Sequence, residues 1–136
     1  ADHTTVTFDY LGMGRSDVRA YDPQRYASLD GYAGVLVEIC EALDARDVTV
    51  VGHSVSATIA LLAARRAPER FRQLVLVAPS PCFLNHPPDY LGGFEAADIE
   101  GLLGLMDQNF VGWADHLAPL ISRNADRPEL AGELRA

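Results

Sequence analysis

The sequence Gly52-His53-Ser54-Val55-Ser56 constrains the fold more than any other stretch of this chain. Four β-branched residues, 48–51, precede it, and an apolar run of mostly small residues, 57–64, follows it. This order predicts a strand, a sharp turn and a helix with Ser54 at the apex, the arrangement called a nucleophile elbow. Small residues two positions before and after the serine let neighbouring backbone pass close by. Gly52 and Ser56 occupy these positions, and the second is more commonly a glycine.

The predicted turn suits the chemistry of a serine nucleophile. A serine hydroxyl is a weak nucleophile that must be exposed to a base, and a sharp turn lifts it clear of the sheet in a strained conformation. The helix that begins there directs backbone N–H groups towards developing negative charge. The alternative is an ordinary strand-to-helix turn in which Ser54 only caps the helix. The position of the motif between a buried strand and a buried helix favours the catalytic interpretation.

Strand and helix patterns alternate in the first part of the chain. Strands are predicted at residues 4–8 and 74–78, in addition to the elbow strand, and Pro68 is predicted to end the elbow helix. The continuous apolar run 74–78 is typical of a parallel strand buried on both faces. Ser28 is predicted to cap another helix, and the apolar face of that helix comprises Leu29, Tyr32, Ala33, Leu36, Ile39, Cys40 and Leu43. This alternation predicts an α/β fold with a parallel sheet.

A long loop rich in Pro and Gly, residues 79–93, precedes a part of the chain with helical periodicity. One predicted helical face comprises Ile99, Leu102, Leu103, Met106 and Phe110, and a second comprises Trp113, Leu117, Leu120 and Ile121. A third helix is predicted to begin near Pro128. Helices inserted after a core strand indicate a lid, although their aromatic residues could simply pack helix against helix. We therefore assign residues 1–84 to a partial core and 85–136 to a partial lid insertion.

Composition excludes several classes of function. The formal net charge is −8 and all 11 basic residues are Arg, which argues against nucleic acid or an anionic membrane as a partner. No apolar run is long enough to span a membrane and no signal peptide is visible, so a cytoplasmic location is expected. Cys40 and Cys82 form no disulfide framework and are interpreted as small buried side chains. No residue spacing indicates a metal site or a dinucleotide fingerprint, so no cofactor is expected.

The motifs resemble those of the α/β-hydrolase group that contains the bacterial sigma-B stress regulator RsbQ and the plant karrikin and strigolactone receptors. The blocks Val-Gly-His-Ser-Val-Ser, 51–56, and Gly-Gly-Phe-Glu, 92–95, are specific to this group. Further matching positions are 8–10, 14, 16–17, 25–26, 29–32, 80–85, 90, 109–110, 112–114 and 126–129. The resemblance implies a core sheet and a V-shaped lid of four helices over a small apolar pocket, with two lid helices and the start of a third in this chain.

The resemblance also implies roles for individual residues. Ser54 matches the nucleophile, and Val55 matches the residue whose backbone N–H forms half of the oxyanion hole. The positions that match the lining of the pocket are Phe83, Phe94, Leu102, Trp113 and Leu117. The catalytic Asp and His of the family lie downstream of Ala136, so no position here matches them, and the chain is interpreted as an internal fragment that is inactive alone. None of its own histidines, His3, His53, His86 and His116, is placed convincingly as a base.

The expected function is therefore that of a serine hydrolase. The full protein is expected to attack a small apolar ester-like or lactone-like ligand. The resemblance implies a bacterial stress-signalling role in which the protein activates a sensor-linked phosphatase. Two alternatives remain open: a metabolic esterase or carbon–carbon hydrolase without a signalling partner, and a non-catalytic module that only holds its ligand.

Overall fold

The computed structural model describes residues 3–122 and contains four helices and two strands in that range. In chain order these are α1 (Leu29–Ala42), β1 (Val48–His53), α2 (Val55–Arg66), β2 (Phe71–Val77), α3 (Ala96–Gln108) and α4 (Phe110–Ser122). Short 3₁₀ turns lie at Val18–Ala20 and Pro68–Arg70. The chain forms two compact units, a first that ends at Pro81 and a second that begins at Cys82. The predicted helix near Pro128 and the positions 126–129 lie outside the described residues.

The sheet of the first unit is parallel, as predicted. β1 pairs with β2 in a register that runs from Thr49 opposite Gln73 to His53 opposite Val77. Two consecutive parallel strands need a crossover, because the chain must return to the end of the sheet at which the first strand began. Helix α2 forms this crossover. The elbow helix ends at Arg66, two residues before Pro68, as predicted. The chain therefore has an α/β fold with a partial parallel sheet and flanking helices.

The core of the first unit lies between α1 and α2. Its buried residues are Ala33, Leu36, Val37, Ile59, Ala63 and Ala67. The alanines carry no side chain beyond Cβ, so the two helices can pack closely. Ser28 lies at the N-cap position of α1, as predicted, but its side chain makes no capping hydrogen bond. Leu43 was wrongly assigned to the buried face, because α1 ends at Ala42 and Leu43 is 56% exposed.

The predicted strand at residues 4–8 is wrong. These residues are exposed and belong to no strand. A groove of about 230 Å³ separates them from β1, with Val6 and Phe8 on one side and Val50 and Val51 on the other. A strand exists only where a neighbour supplies N–H and C=O partners. The β-branched pattern indicates strand propensity, but no hydrogen-bonded neighbour is present within residues 3–122.

The strand β2 is also less buried than predicted. It begins at Phe71 rather than Leu74, and its exposed and half-buried residues alternate from Gln73 onward. Val75 and Val77 are 38% and 45% exposed. The run 74–78 was interpreted as buried on both faces, but within the described chain one face of β2 is open.

The second unit consists of the loop that follows Cys82 and of helices α3 and α4. Two isolated bridges, Leu84 with Phe94 and His86 with Tyr90, organise the loop. Phe110 was predicted on the face of α3, but α3 ends at Gln108 and Phe110 is the first residue of α4. Asn109 interrupts the helix with non-helical dihedral angles, φ −154° and ψ 84°. The assignment of this unit as a lid remains a prediction.

Candidate active site

The turn at Ser54 has the geometry of a nucleophile elbow. Ser54 lies directly between β1 and α2, with φ 55° and ψ −124°. Its N–H donates a hydrogen bond to Val77 O at 2.9 Å, which ties the turn to the end of β2. A non-glycine residue with positive φ stores about 1–3 kcal/mol of strain and persists only where its surroundings hold it. The side chain, half-buried, therefore sits at the carboxyl ends of two parallel strands, where active sites of such sheets lie.

Gly52 makes this sharp turn possible. A Cβ atom at Gly52 would lie 2.6 Å from Ser56 O and 2.8 Å from Ala57 Cα. Both atoms belong to the backbone of the first turn of α2 and cannot move aside as a flexible side chain could. The close approach predicted from the small residue before Ser54 is therefore observed at Gly52.

Val55 is the first residue of α2. The N–H groups in the first turn of a helix have no acceptor within the helix and carry part of its positive dipole. The Val55 N–H is therefore suited to a developing negative charge beside Ser54. Its side chain is 52% exposed and contributes little to the core.

No base contacts Ser54 in the described chain. Among residues 3–122, no hydrogen bond joins Ser54 Oγ to another side chain, and the serine makes no side-chain capping bond to α2. His53 is exposed at the end of β1, and His3 is exposed in the N-terminal segment that precedes α1. His86 and His116 belong to the second unit. Within the same residues, no group of three or more His, Cys, Asp or Glu side chains could hold a metal ion.

The residues predicted to line a pocket all lie in the second unit. Phe94 and Leu102 line an open cavity of about 510 Å³, whereas Phe83, Trp113 and Leu117 do not. Phe83 is 55% exposed and meets Phe94 edge-on, with ring centroids 6.5 Å apart. Trp113 packs against Phe110 with ring centroids 5.3 Å apart. Leu117 is half-buried on α4.

The cavity has other lining residues that were not predicted from the sequence. They are Gly93, Ala97, Asp98, Gly101, Leu105 and His116. Ala97, Gly101 and Leu105 are spaced by four along α3 and therefore share one helix face. Ala97 and Gly101 are small, and small residues at this spacing predict a concave surface, so this signal could have identified part of that wall from the sequence. His116, which comes from α4, is set by the packing of the two helices.

The burial of one of the two cysteines differs from its prediction. Cys40 is buried in α1, as predicted, and burial raises the pKa of its thiol. Cys82 was predicted to be buried as well, but it is only half-buried and its Sγ contacts Nε2 of His86 at 3.7 Å.

A family model described as the alpha/beta hydrolase fold matches residues 1–128. The chain belongs to the α/β-hydrolase family. A protein from Oryza sativa subsp. japonica that is named as a probable esterase is 42% identical over 120 residues, which cover 88% of this chain and 44% of the relative. The Karrikin insensitive 2 receptor CA from Petunia hybrida is 39% identical over 120 residues, again 88% of this chain and 44% of the relative. A solved structure of a hydrolase from Oleispira antarctica matches with TM-score 0.86 and 48% identity.

This last match covers 94% of our chain and 47% of the other. This α/β-hydrolase chain thus spans about half the length of these three proteins. No helix within residues 3–122 is long and apolar enough to cross a membrane.

Proposed function

We propose that the full-length protein is a serine-type α/β-hydrolase of the RsbQ kind and that Ser54 is its nucleophile. The backbone of Ser54 carries this proposal. A serine held at φ 55° between a parallel strand and a helix, with Gly52 against the first turn of that helix, is the arrangement that exposes a hydroxyl for attack. A capping role alone is less well supported, because Ser54 makes no capping hydrogen bond to α2.

The proposed reaction begins with attack of Ser54 Oγ on a carbonyl carbon. The serine proton passes to a His that is oriented by an Asp, both supplied by sequence beyond this chain. The carbonyl oxygen becomes negatively charged and accepts a hydrogen bond from the Val55 N–H, which the dipole of α2 strengthens. A second N–H from a loop upstream would complete the oxyanion hole.

The proposed ligand is a small apolar ester or lactone. Phe83, Phe94, Leu102, Trp113 and Leu117 are the proposed pocket residues, and their side chains are apolar. The cavity beside Phe94 and Leu102 supports this choice, because ligand sites are concave and mostly apolar with few polar groups. The names of the relatives, an esterase and a receptor, are consistent with hydrolysis and with sensing of a ligand.

We further propose a cytoplasmic signalling role in a bacterium, with a sensor-linked phosphatase as the partner and neither nucleic acid nor membrane involved. The net charge of −8 supports the exclusion of polyanionic partners. A metabolic hydrolase without a signalling partner is the second candidate, and it agrees with the Oleispira antarctica structure, which is described as a hydrolase. Gene neighbourhood separates the two, because a phosphatase gene beside this one favours signalling and a catabolic operon favours metabolism.

Labelling with a fluorophosphonate probe tests the proposal in the full-length protein. We expect the wild type and Ser28→Ala to be labelled and Ser54→Ala to remain unlabelled. Ser28 is the matched control, because its hydroxyl makes no capping bond in α1. Labelling that survives Ser54→Ala would refute the assignment. A folded wild type that binds its ligand but is never labelled would instead indicate a non-catalytic binding module.

A further inference from the structure

The loop at the start of the second unit holds a thiol and an imidazole next to each other. Cys82 Sγ lies 3.7 Å from His86 Nε2. Cys82 is half-buried and His86 is exposed, so small molecules in solvent can reach the pair. When the neutral imidazole carries its proton on Nδ1, Nε2 can accept the thiol proton. A thiol within reach of an imidazole base is the arrangement from which cysteine nucleophiles act.

Backbone and side-chain hydrogen bonds hold this loop in place. His86 N–H donates to Tyr90 O at 2.8 Å, and Tyr90 Oη donates to Cys82 O at 2.9 Å. Asn85 N–H donates to Phe94 O at 2.8 Å, and Asn85 Oδ1 accepts from Gly93 N–H at 2.8 Å. The backbone that carries both reactive groups is therefore already ordered, and little conformational entropy remains to be lost when the side chains meet.

We propose that Cys82 and His86 form a second nucleophilic site, which adds to α,β-unsaturated carbonyl compounds. Cys82 Sγ forms a bond to the β-carbon, and the electron pair of the C=C bond moves towards the carbonyl to give an enolate. His86 Nε2 takes the thiol proton and then returns it to the α-carbon. The net reaction adds S–H across the double bond, with no oxidation and no leaving group. One imidazole serves both proton transfers because it acts first as a base and then as an acid.

Other chemistry of a thiol is less well supported at this site. A metal site needs further ligands, and within residues 3–122 no third His, Cys, Asp or Glu completes a group with Cys82 and His86. The other thiol, Cys40, is buried in α1, so its sulfur is poorly accessible for disulfide exchange. Addition to carbon requires only a thiol and a group that carries the proton, and both are present.

Acrylamide, an α,β-unsaturated amide, tests the proposal on the full-length protein, with adducts at each cysteine measured by peptide mass spectrometry. At pH 7 we expect Cys82 to react about 100-fold or more faster than N-acetylcysteine, which is the lower end of the contribution of a positioned general base. We expect Cys40 to react more slowly than Cys82. In His86→Gln the rate advantage of Cys82 over N-acetylcysteine should disappear at pH 7. His3→Gln, which removes another exposed histidine, should leave the rate unchanged.

Two results would overturn the proposal: a wild-type Cys82 rate no higher than that of N-acetylcysteine, or an unchanged rate in His86→Gln. Cys40 in the same digests reports on folding. If Cys40 of His86→Gln becomes as reactive as Cys82, the variant is unfolded, and the comparison of the wild type with N-acetylcysteine then decides the outcome. Fluorophosphonate labelling of Ser54 is measured separately, so a failure of this proposal is distinguishable from a failure of the proposed hydrolase function.

Discussion

Ser54 and Ala78 both adopt positive φ angles, 55° and 46°, although neither is a glycine. Ser54 follows the last residue of β1 and Ala78 follows the last residue of β2. These two residues therefore lie at the carboxyl ends of two paired strands, and the bond from Ser54 N–H to Val77 O joins those ends. Strain at Ser54 could be predicted from the motif. Strain at Ala78 could not, because alanine carries no preference for this conformation.

Gly52→Ala is expected to destabilise the full-length protein. The new Cβ would lie 2.6 Å from Ser56 O, and this clash is removed only if β1 and α2 move apart. The movement should lower the free energy of unfolding by about 1–3 kcal/mol. Gly104→Ala is the control, because a Cβ at Gly104 in α3 meets no atom within 4 Å and should stabilise by about 0.5–1 kcal/mol. Urea unfolding measures both, and equal stabilities for the two variants would contradict the close approach.

At the scale of elements, the N-termini of α1 and α3 differ in how they are capped. In α3, Glu95 and Asp98 form a reciprocal capping box, and Glu95 N–H donates to Asp98 Oδ2 at 2.9 Å. In α1, Ser28 makes no such bond. Asp98→Ala should therefore lower the free energy of unfolding by about 1 kcal/mol, and Ser28→Ala by only a few tenths. A denaturation experiment in which Ser28→Ala costs as much as Asp98→Ala would show that the Ser28 hydroxyl does cap α1.

Tyr10 and Tyr32 connect the N-terminal segment to α1, with ring centroids 5.3 Å apart in an edge-on contact. Burial raises the pKa of both phenols, and a hydrogen bond with Tyr21 adds to the effect at Tyr32. The folded state favours the neutral form of both phenols, so each contributes to the free energy of unfolding. This contribution is complete below the ordinary pKa of about 10 and is lost as the pH rises through the raised pKa of the folded state.

The Tyr10→Phe variant lacks the ionisable phenol at this position. Its free energy of unfolding should therefore fall less than that of the wild type when the pH is raised from about 8 to about 11. Urea unfolding of the two full-length proteins at both pH values measures this difference. An identical loss in the two proteins would mean that Tyr10 ionises as readily in the folded state as in the unfolded state.

At the scale of the whole molecule, the sheet formed by β1 and β2 exposes apolar side chains within residues 3–122. Val51 is 68% exposed, and Val75 and Val77 on β2 are also exposed. Exposed apolar surface and open strand edges favour association. We expect the isolated 136-residue polypeptide to aggregate or remain partly molten, to bind a hydrophobic dye, and to hydrolyse p-nitrophenyl acetate no faster than its Ser54→Ala variant. A soluble polypeptide that melts cooperatively and shows Ser54-dependent turnover would contradict this expectation.

Sequence alone determined the close approach inside the elbow, because the contacts that require Gly52 join residues at most five positions apart. The bond from Ser54 N–H to Val77 O, which ties the turn to β2, is a tertiary contact. The clash that requires Gly52 involves Ser56 and Ala57, and the helix that follows is local as well. The α/β alternation, the end of α2 before Pro68 and the start of α1 after Ser28 were predictable for the same reason.

Tertiary structure decided the features that depend on distant neighbours. Residues 4–8 have a strand pattern but form no strand, because hydrogen-bonding partners come from elsewhere in space and none is present among residues 3–122. The open face of β2 and the cavity between Phe94 and His116 depend on which elements pack together. The contact between Cys82 and His86 depends on the hydrogen bonds that close their loop. A residue pattern indicates whether a segment favours a helix or a strand. The neighbours that supply its hydrogen bonds and packing contacts are determined only by the tertiary structure.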